Sequence, residues 1–233
     1  MAQLTLQQRQ HRLLFDYRVA MEMRTPFVNV TAYRDADDLK QRRNPIVAEQ
    51  DGHLASQYLV DYFMKALIGP DKYSDKTSVK FDLLAGGNYP YTQPICFVES
   101  SQLPWTPHFA RSRPICTDED IWLAAKGRFL LGHWLVHVAK LLNFDEIPRT
   151  ENYGGYNPDA SAYWRTKLNR RPLTPDFPYP VLPPWISSEP VNSFEASEAE
   201  AFFEATSVQP QIAGVQSDPD FYFEPESSFF SPT

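Results

Sequence analysis

Apolar residues recur at helical spacing over residues 4–23, where Leu6, Leu13, Leu14, Tyr17, Ala20 and Met21 are separated by Gln and Arg. This pattern predicts an amphipathic N-terminal helix, ended at Thr25-Pro26. The period then falls to two, and Phe27-Val28-Asn29-Val30-Thr31-Ala32-Tyr33 reads as a first strand. Residues 34–57 hold Arg-Asp-Ala-Asp-Asp, Gln-Arg-Arg-Asn-Pro and Asp-Gly and predict a long, polar surface loop inserted in the domain. The apolar run 58–68 fits a strand or a short helix. Strand is chosen because Gly69-Pro70 closes it and a second run, 78–84, can pair with it as a hairpin. After the turn at Gly86-Gly87-Asn88, Pro94 to Val98 supplies a last short strand, completing an antiparallel meander of about four strands.

Beyond Cys116 the helical period returns. Residues 128–144 place Phe129, Leu130, Trp134, Val138, Leu141 and Leu142 on one broad face, the main core helix. Pro158 suits the first turn of a further helix over 159–169, where its missing N–H costs nothing. The six prolines of residues 171–185 exclude a regular helix or a central strand. That stretch predicts an extended strap, 171–186, whose Phe177, Tyr179, Val181, Leu182 and Trp185 pack back on the body. The fold class expected is α+β, with a domain over 1–170, the strap, and a tail over 187–233.

Charge separates the tail from the body. From Ser187 onward there are nine acids and no Lys or Arg. Removing them from the chain's 29 acids leaves 20 against 22 bases, so the formal charge of −7 resides in the tail. A near-neutral body without a basic stripe argues against nucleic acid as a partner. The tail favours disorder by composition, yet it repeats aromatic clusters, among them Phe202, Phe203, Phe221 and Phe223, with a short helix expected over 193–205. These aromatics are candidate docking residues. No apolar run reaches the length of a membrane span and MAQLTLQQRQ lacks an apolar signal core, so a cytoplasmic protein with no membrane partner is expected.

The chain has two cysteines, Cys96 inside a predicted strand and Cys116 at the end of a proline-stiffened loop, Trp105 to Cys116. A disulfide framework is not expected. Ile115 before Cys116 is apolar, whereas Thr117, Asp118, Glu119 and Asp120 after it are polar, which sets Cys116 at the boundary between core and solvent. A reactive thiol needs that position. Taken alone, the window favours a small buried hydrophobe, the common state of a free cysteine. His133 and His137 stand four apart on the long helix, but with no third ligand in view they read as polar helix positions rather than a metal site. Gly86-Gly87 and Gly154-Gly155 lack the frame of a nucleotide loop.

The order helix, meander, cysteine loop, long helix resembles the ubiquitin-conjugating enzyme fold, and several short motifs follow suit. Ile68-Gly69-Pro70 with Tyr73 and Phe81 is similar to that family's Met-Gly-Pro … Tyr … Phe. Tyr89-Pro90-Tyr91-Thr92-Gln93-Pro94 with Phe97 resembles its Tyr-Pro-Phe-x-x-Pro … Phe. Thr106-Pro107-His108 … Ile115-Cys116 resembles its His-Pro-Asn … Ile-Cys, with the same eight-residue step to the cysteine. Trp122 and Leu141-Leu142 complete the pattern, which spans residues 6–168. The insertion and the acidic tail are not standard for the family. Such divergence resembles the ubiquitin-conjugating-like proteins of bacterial operons, including those of antiviral defence.

The resemblance implies a transferase that carries a ubiquitin-like modifier as a thioester on Cys116 and passes it to an amine. It implies no cofactor of its own, ATP and magnesium being used by a partner activating enzyme. The expected partners are the modifier, the activating enzyme through the N-terminal helix and the acidic tail, and a JAB-type deconjugating peptidase of the same system. Thr106, Pro107 and Trp122 would support the loop. His108 stands where the family has the asparagine that orders the loop and steadies the oxyanion, and either role is open to an imidazole. Asp145 lies where the family's acidic gate residue tends to sit and would help deprotonate the incoming amine; Glu146, Asp118 and Asp120 are nearby alternatives. A non-catalytic scaffold of the same fold is the competing reading, and a cysteine hydrolase using Cys116 and His108 a third.

Overall fold

The computed structural model describes residues 4–116, 127–145 and 155–186. Helix α1, Leu6–Glu22, opens on a capping box in which the Thr5 hydroxyl accepts from the Gln8 amide and the Gln8 side chain accepts from the Thr5 amide. Strand β1, Val28–Tyr33, follows after the Thr25 turn. Strands β2 (Gln57–Tyr62), β5 (Thr77–Asp82) and β6 (Ile95–Val98) complete an antiparallel sheet in the order β1-β2-β5-β6.

Register explains what is buried. Val30, Val60, Val79 and Val98 form one row across the four strands, and Ala32, Tyr58, Phe81 and Cys96 form the next. With a side-chain period of two, both rows share one face. That face meets α1 and the long helix α3, Leu131–Leu142, in a single core. Each aliphatic or Phe side chain fully buried there contributes about 1.5–3 kcal/mol. The Tyr62 hydroxyl donates to the Leu135 carbonyl at 3.1 Å, pinning sheet to helix. The two helices approach closely at Gly132, where a Cβ would stand 2.6 Å from both Met23 Sδ and Val19 Cγ1.

The four-stranded antiparallel sheet, the N-terminal helix and the α+β class agree with expectation, but several elements differ. Residues 34–57 are not one long loop. They hold helix α2, Ala36–Gln41, and a 3-10 helix, Glu49–Leu54. The acidic run that suggested a loop is the cap and first turn of α2, with the Asp35 carboxylate accepting from the Asp37 and Asp38 amides. Leu39 of α2 packs with Tyr33 and Leu59 on the outer face of the sheet. The apolar run 58–68 is likewise not one strand: it breaks after Tyr62, and β3 (Ala66–Gly69) forms a separate two-stranded sheet with β4 (Lys72–Ser74). The expected pairing of the first part with the next run is present as Gln57↔Asp82 through Tyr62↔Thr77.

The helices are shorter than expected: α3 starts at Leu131 and α4 spans Pro158–Thr166, with Pro158 in the first turn and the Asn157 side chain accepting from the Ala160 amide. The strap contains neither helix nor strand. Phe177 is buried and Tyr179 and Leu182 are partly so, but Val181 is 81% exposed and does not pack back as expected. Trp185 meets Phe15 edge-on at 5.2 Å and donates to the Glu22 carboxylate at 2.7 Å. The tail aromatics Phe202, Phe203, Phe221 and Phe223 and the expected helix 193–205 lie outside the described residues, as do Trp122, Asp118, Asp120 and Glu146. No helix among the described residues is long and apolar enough to cross a membrane.

Candidate functional site

The loop that carries Cys116 is fastened at both ends. It leaves β6 and is first held at Trp105, whose amide donates to the Leu67 carbonyl at 2.6 Å and whose ring meets Tyr163 edge-on at 5.3 Å. These belong to a second, smaller core of Leu67, Phe144 and Ala160. Thr106 is fully buried, and its hydroxyl accepts from the His108 amide at 3.2 Å, closing a local turn. The Pro107 carbonyl accepts from the Tyr156 amide at 2.7 Å. Phe109 and Ile115 are buried in the main core, and the exposed turn between them reverses at Ser112, φ 58°.

Ile115 sets the thiol in place. Its side chain points inward and its amide donates to the Cys96 carbonyl at 2.7 Å, extending the sheet edge by one residue. Cys116 follows and is half-exposed. The Cys116 amide donates to the His108 carbonyl at 2.9 Å, and the His108 Nδ1–H donates back to the Cys116 carbonyl at 3.0 Å. A carbonyl can only accept, so this bond assigns the proton to Nδ1. His108 is 97% buried, and its Nδ1–H is engaged with the cysteine's main chain.

The other thiol is of a different kind. Cys96 faces the core in the row with Tyr58 and Phe81, and burial, with Asp82 adding to it, pushes its pKa well up. A neutral, enclosed thiol of this type is inert. Cys96 contributes to the site through its carbonyl instead.

Asp145 is positioned by the end of α3. The Asp145 amide donates to the Lys140 carbonyl at 2.9 Å and the Phe144 amide to the Leu141 carbonyl, a Schellman closure with Phe144 at φ 59°. The Phe144 ring is buried against Leu67 and Ala160, which leaves Asp145 exposed. The structure thus brings Thr106, Pro107, His108 and Cys116 into one bonded unit and sets Asp145 at a helix terminus that shares the second core with Trp105. His133 Nδ1 accepts from the Leu130 amide at 3.0 Å, and His137 stands edge-on to Trp134. Among the described residues no group of three or more His, Cys, Asp or Glu is placed to hold a metal ion.

One part of the frame escaped the sequence reading. Arg12 and Asp16 form a buried ion pair at 2.7 Å on the core-facing side of α1. Arg12 also donates to the carbonyls of Gly127 and Phe129, and Asp16 accepts from the Tyr89 hydroxyl at 2.6 Å and the Leu131 amide at 2.8 Å. This network grips the chain where it returns to α3 and satisfies one of that helix's first amides. Its signal was present as two opposite charges four apart among Leu13, Tyr17 and Ala20. Charged residues on an apolar face are retained only when paired. A comparison with protein-family models and with curated proteins finds no match for this chain.

Proposed function

We propose that this protein is a ubiquitin-conjugating-like transferase which accepts a ubiquitin-like modifier from an activating enzyme on Cys116 and passes it to an acceptor amine. The observation that carries this reading is the reciprocal bonding of His108 and Cys116, which holds a half-exposed cysteine rigidly in a loop while the other cysteine is enclosed. It accords with the motif order around Cys116 and with the α1, antiparallel sheet and α3 arrangement. In the first step the Cys116 thiolate attacks the thioester carbonyl on the activating enzyme. A new carbon–sulfur bond forms at Cys116, the old one breaks, and the departing thiolate takes up the proton. An ordinary thiol near pKa 8.5 supplies enough thiolate at neutral pH for this, so no triad is needed. In the second step a deprotonated amine displaces Cys116 and leaves an amide, with Asp145 as the carboxylate that takes the amine's proton.

The modifier and the activating enzyme are the partners this requires, the latter docking on α1 and the acidic tail, with a JAB-type peptidase reversing the conjugate. ATP and magnesium act at the activating enzyme. A second reading, a non-catalytic scaffold that binds the modifier or the activating enzyme, is favoured by one observation: the His108 N–H is engaged with the Cys116 carbonyl and is not offered to an oxyanion.

The test is to incubate the full chain with a candidate activating enzyme, modifier, ATP and magnesium and compare non-reducing with reducing gels. A thiol-sensitive adduct in the wild type and in Cys96→Ser, replaced in Cys116→Ser by a thiol-resistant ester or by none, supports the carrier. Absence of any adduct while the activating enzyme itself is charged supports the scaffold.

A further inference from the structure

Among the described residues the sheet ends at β6, and its outer edge is only partly closed. The Glu99 amide donates to the Ser78 carbonyl at 2.8 Å, so residues 95, 97 and 99 turn their polar main-chain groups toward β5. Cys96 and Val98 therefore turn theirs outward. Ile115 takes up the Cys96 carbonyl. At Val98 no backbone bond closes the outer edge among the described residues, and a cleft of about 420 Å³ opens there, with the turn Ala110 to Arg113 as its far wall. Phe97 and Leu103 give it an apolar floor. Lys80, Arg111 and Arg113 line it against a single acid, Glu99. Helix α2 lies on the outer face of the sheet over β1 and β2, through Tyr33, Leu39 and Leu59, and among the described residues no helix covers the β6 end.

An open edge amide, a flanking cleft and a cationic rim are the three features of a strand-addition site for an anionic peptide. The edge supplies main-chain bonds, and the pockets beside it select alternate side chains. We infer that the cleft between β6 and the turn Ala110 to Arg113 binds an acidic segment of a partner protein in extended conformation. The segment pairs with the amide and carbonyl of Val98, sets its carboxylates on Lys80 and Arg111, and places an apolar side chain over Phe97 and Leu103. The inference uses no chemistry at Cys116, and it stands whichever of the two functional readings holds.

Fluorescence polarisation tests it on the full chain carrying Cys116→Ser, so that no thiol reaction enters. The probe is a short end-blocked, dye-labelled peptide repeating Glu-Thr-Val-Thr, which sets glutamate and valine on the same face of an extended strand. Three comparisons accompany it: lysine in place of glutamate, N-methylation of the amides on one edge of the peptide and then of the other, and Arg111→Glu in the protein. Arg111 is chosen because it is exposed, whereas Arg113 lies over the Tyr156 ring next to the cysteine loop. The expected result is saturable binding of the acidic peptide that weakens with salt. Loss should be at least about tenfold with the lysine peptide and about fivefold with Arg111→Glu and with methylation on one edge but not the other. Equal binding of the lysine peptide, no effect of methylation on either edge, an Arg111→Glu protein of unchanged circular dichroism that binds as well, or no saturable binding would each overturn the proposal.

Discussion

His108 and Cys116 hold each other by two hydrogen bonds, main chain to main chain at 2.9 Å and imidazole Nδ1–H to carbonyl at 3.0 Å. The side-chain bond orients the carbonyl next to the thiol, and under the proposed transferase function His108 acts as a positioning residue. Replacing it with alanine leaves a carbonyl short of its donor and frees the loop, and discharge of a thioester on Cys116 to free lysine is expected to slow by about tenfold. Asn retains a donor N–H, so His108→Asn is expected to recover a large part of that rate. Single-turnover discharge, with charging followed separately, distinguishes this from an unfolded loop. Equal rates for the two variants would remove the role assigned to the donor.

The two thiols should differ sharply toward alkylating reagents. Cys116 is half-exposed, whereas Cys96 is enclosed with its pKa pushed up. Native protein is expected to take up one equivalent of iodoacetamide at Cys116 and the second only under denaturant, read by mass spectrometry of the two peptides. Labelling of Cys96 at a comparable rate would contradict the register that puts it in the core.

The Arg12 and Asp16 pair is buried at both ends, with side-chain exposures of 3% and 0%. Removing Asp16 strands the Arg12 charge and also deprives Tyr89 and Leu131 of their acceptor. Asp16→Ala is expected to cost about 3–5 kcal/mol in urea unfolding, and Tyr89→Phe about 1 kcal/mol. A loss below about 1 kcal/mol for Asp16→Ala would mean that the network does not anchor α3.

Gly155 is a steric requirement of the cysteine loop. It adopts φ +59°, and a Cβ there would stand 2.3 Å from the Pro107 carbonyl oxygen. That oxygen accepts from the Tyr156 amide. Gly155→Ala is therefore expected to lower stability by about 1–3 kcal/mol and to raise the alkylation rate of Cys116 as the loop loosens. A variant with unchanged melting and unchanged thiol reactivity would show that Pro107 is free to shift.

His133 gives stability a pH dependence of defined sign. Burial lowers its pKa from the ordinary 6.5, Arg12 acts in the same direction, and Asp16 opposes them. Nδ1 also needs its lone pair to accept from the Leu130 amide. With the folded value below the unfolded one, the contribution is complete above about pH 6.5 and is lost as pH falls toward the folded value. The urea midpoint should fall between about pH 7.5 and about pH 5.5, and His133→Gln, which cannot titrate, should reduce that fall. An identical fall in both proteins would assign the dependence to other groups.

How far the sequence revealed this depends on the range of the interactions involved. Alternation over residues 28–33 and the helical period of residues 131–142 are local, and both elements were legible. The acidic run 35–38 was misread because an N-cap and a loop use the same residue types, and only the Leu39 contact with Tyr33 and Leu59 decides between them. The break after Tyr62 is set by which partner each half of the run finds, β5 or β4. At the site, the spacing of Thr106, Pro107, His108 and Cys116 was legible, and the allotment of the His108 proton was not. That allotment depends on where the Cys116 carbonyl points, which the fold sets.

The amide of Leu131 finds its acceptor in Asp16, 115 positions earlier in the chain. A helix normally begins from bonds within its own neighbourhood, yet the first turn of α3 is completed by a side chain that arrives only when the N-terminal helix has docked. Closing so long a loop costs chain entropy before any contact rewards it. Completion of the first turn of α3 is therefore tied to the docking of α1, and the Leu131 amide should exchange its hydrogen for deuterium only when α1 and α3 separate. The ribosome releases α1 long before α3 exists, so α1 must wait with its charges in water until the far half of the chain is made.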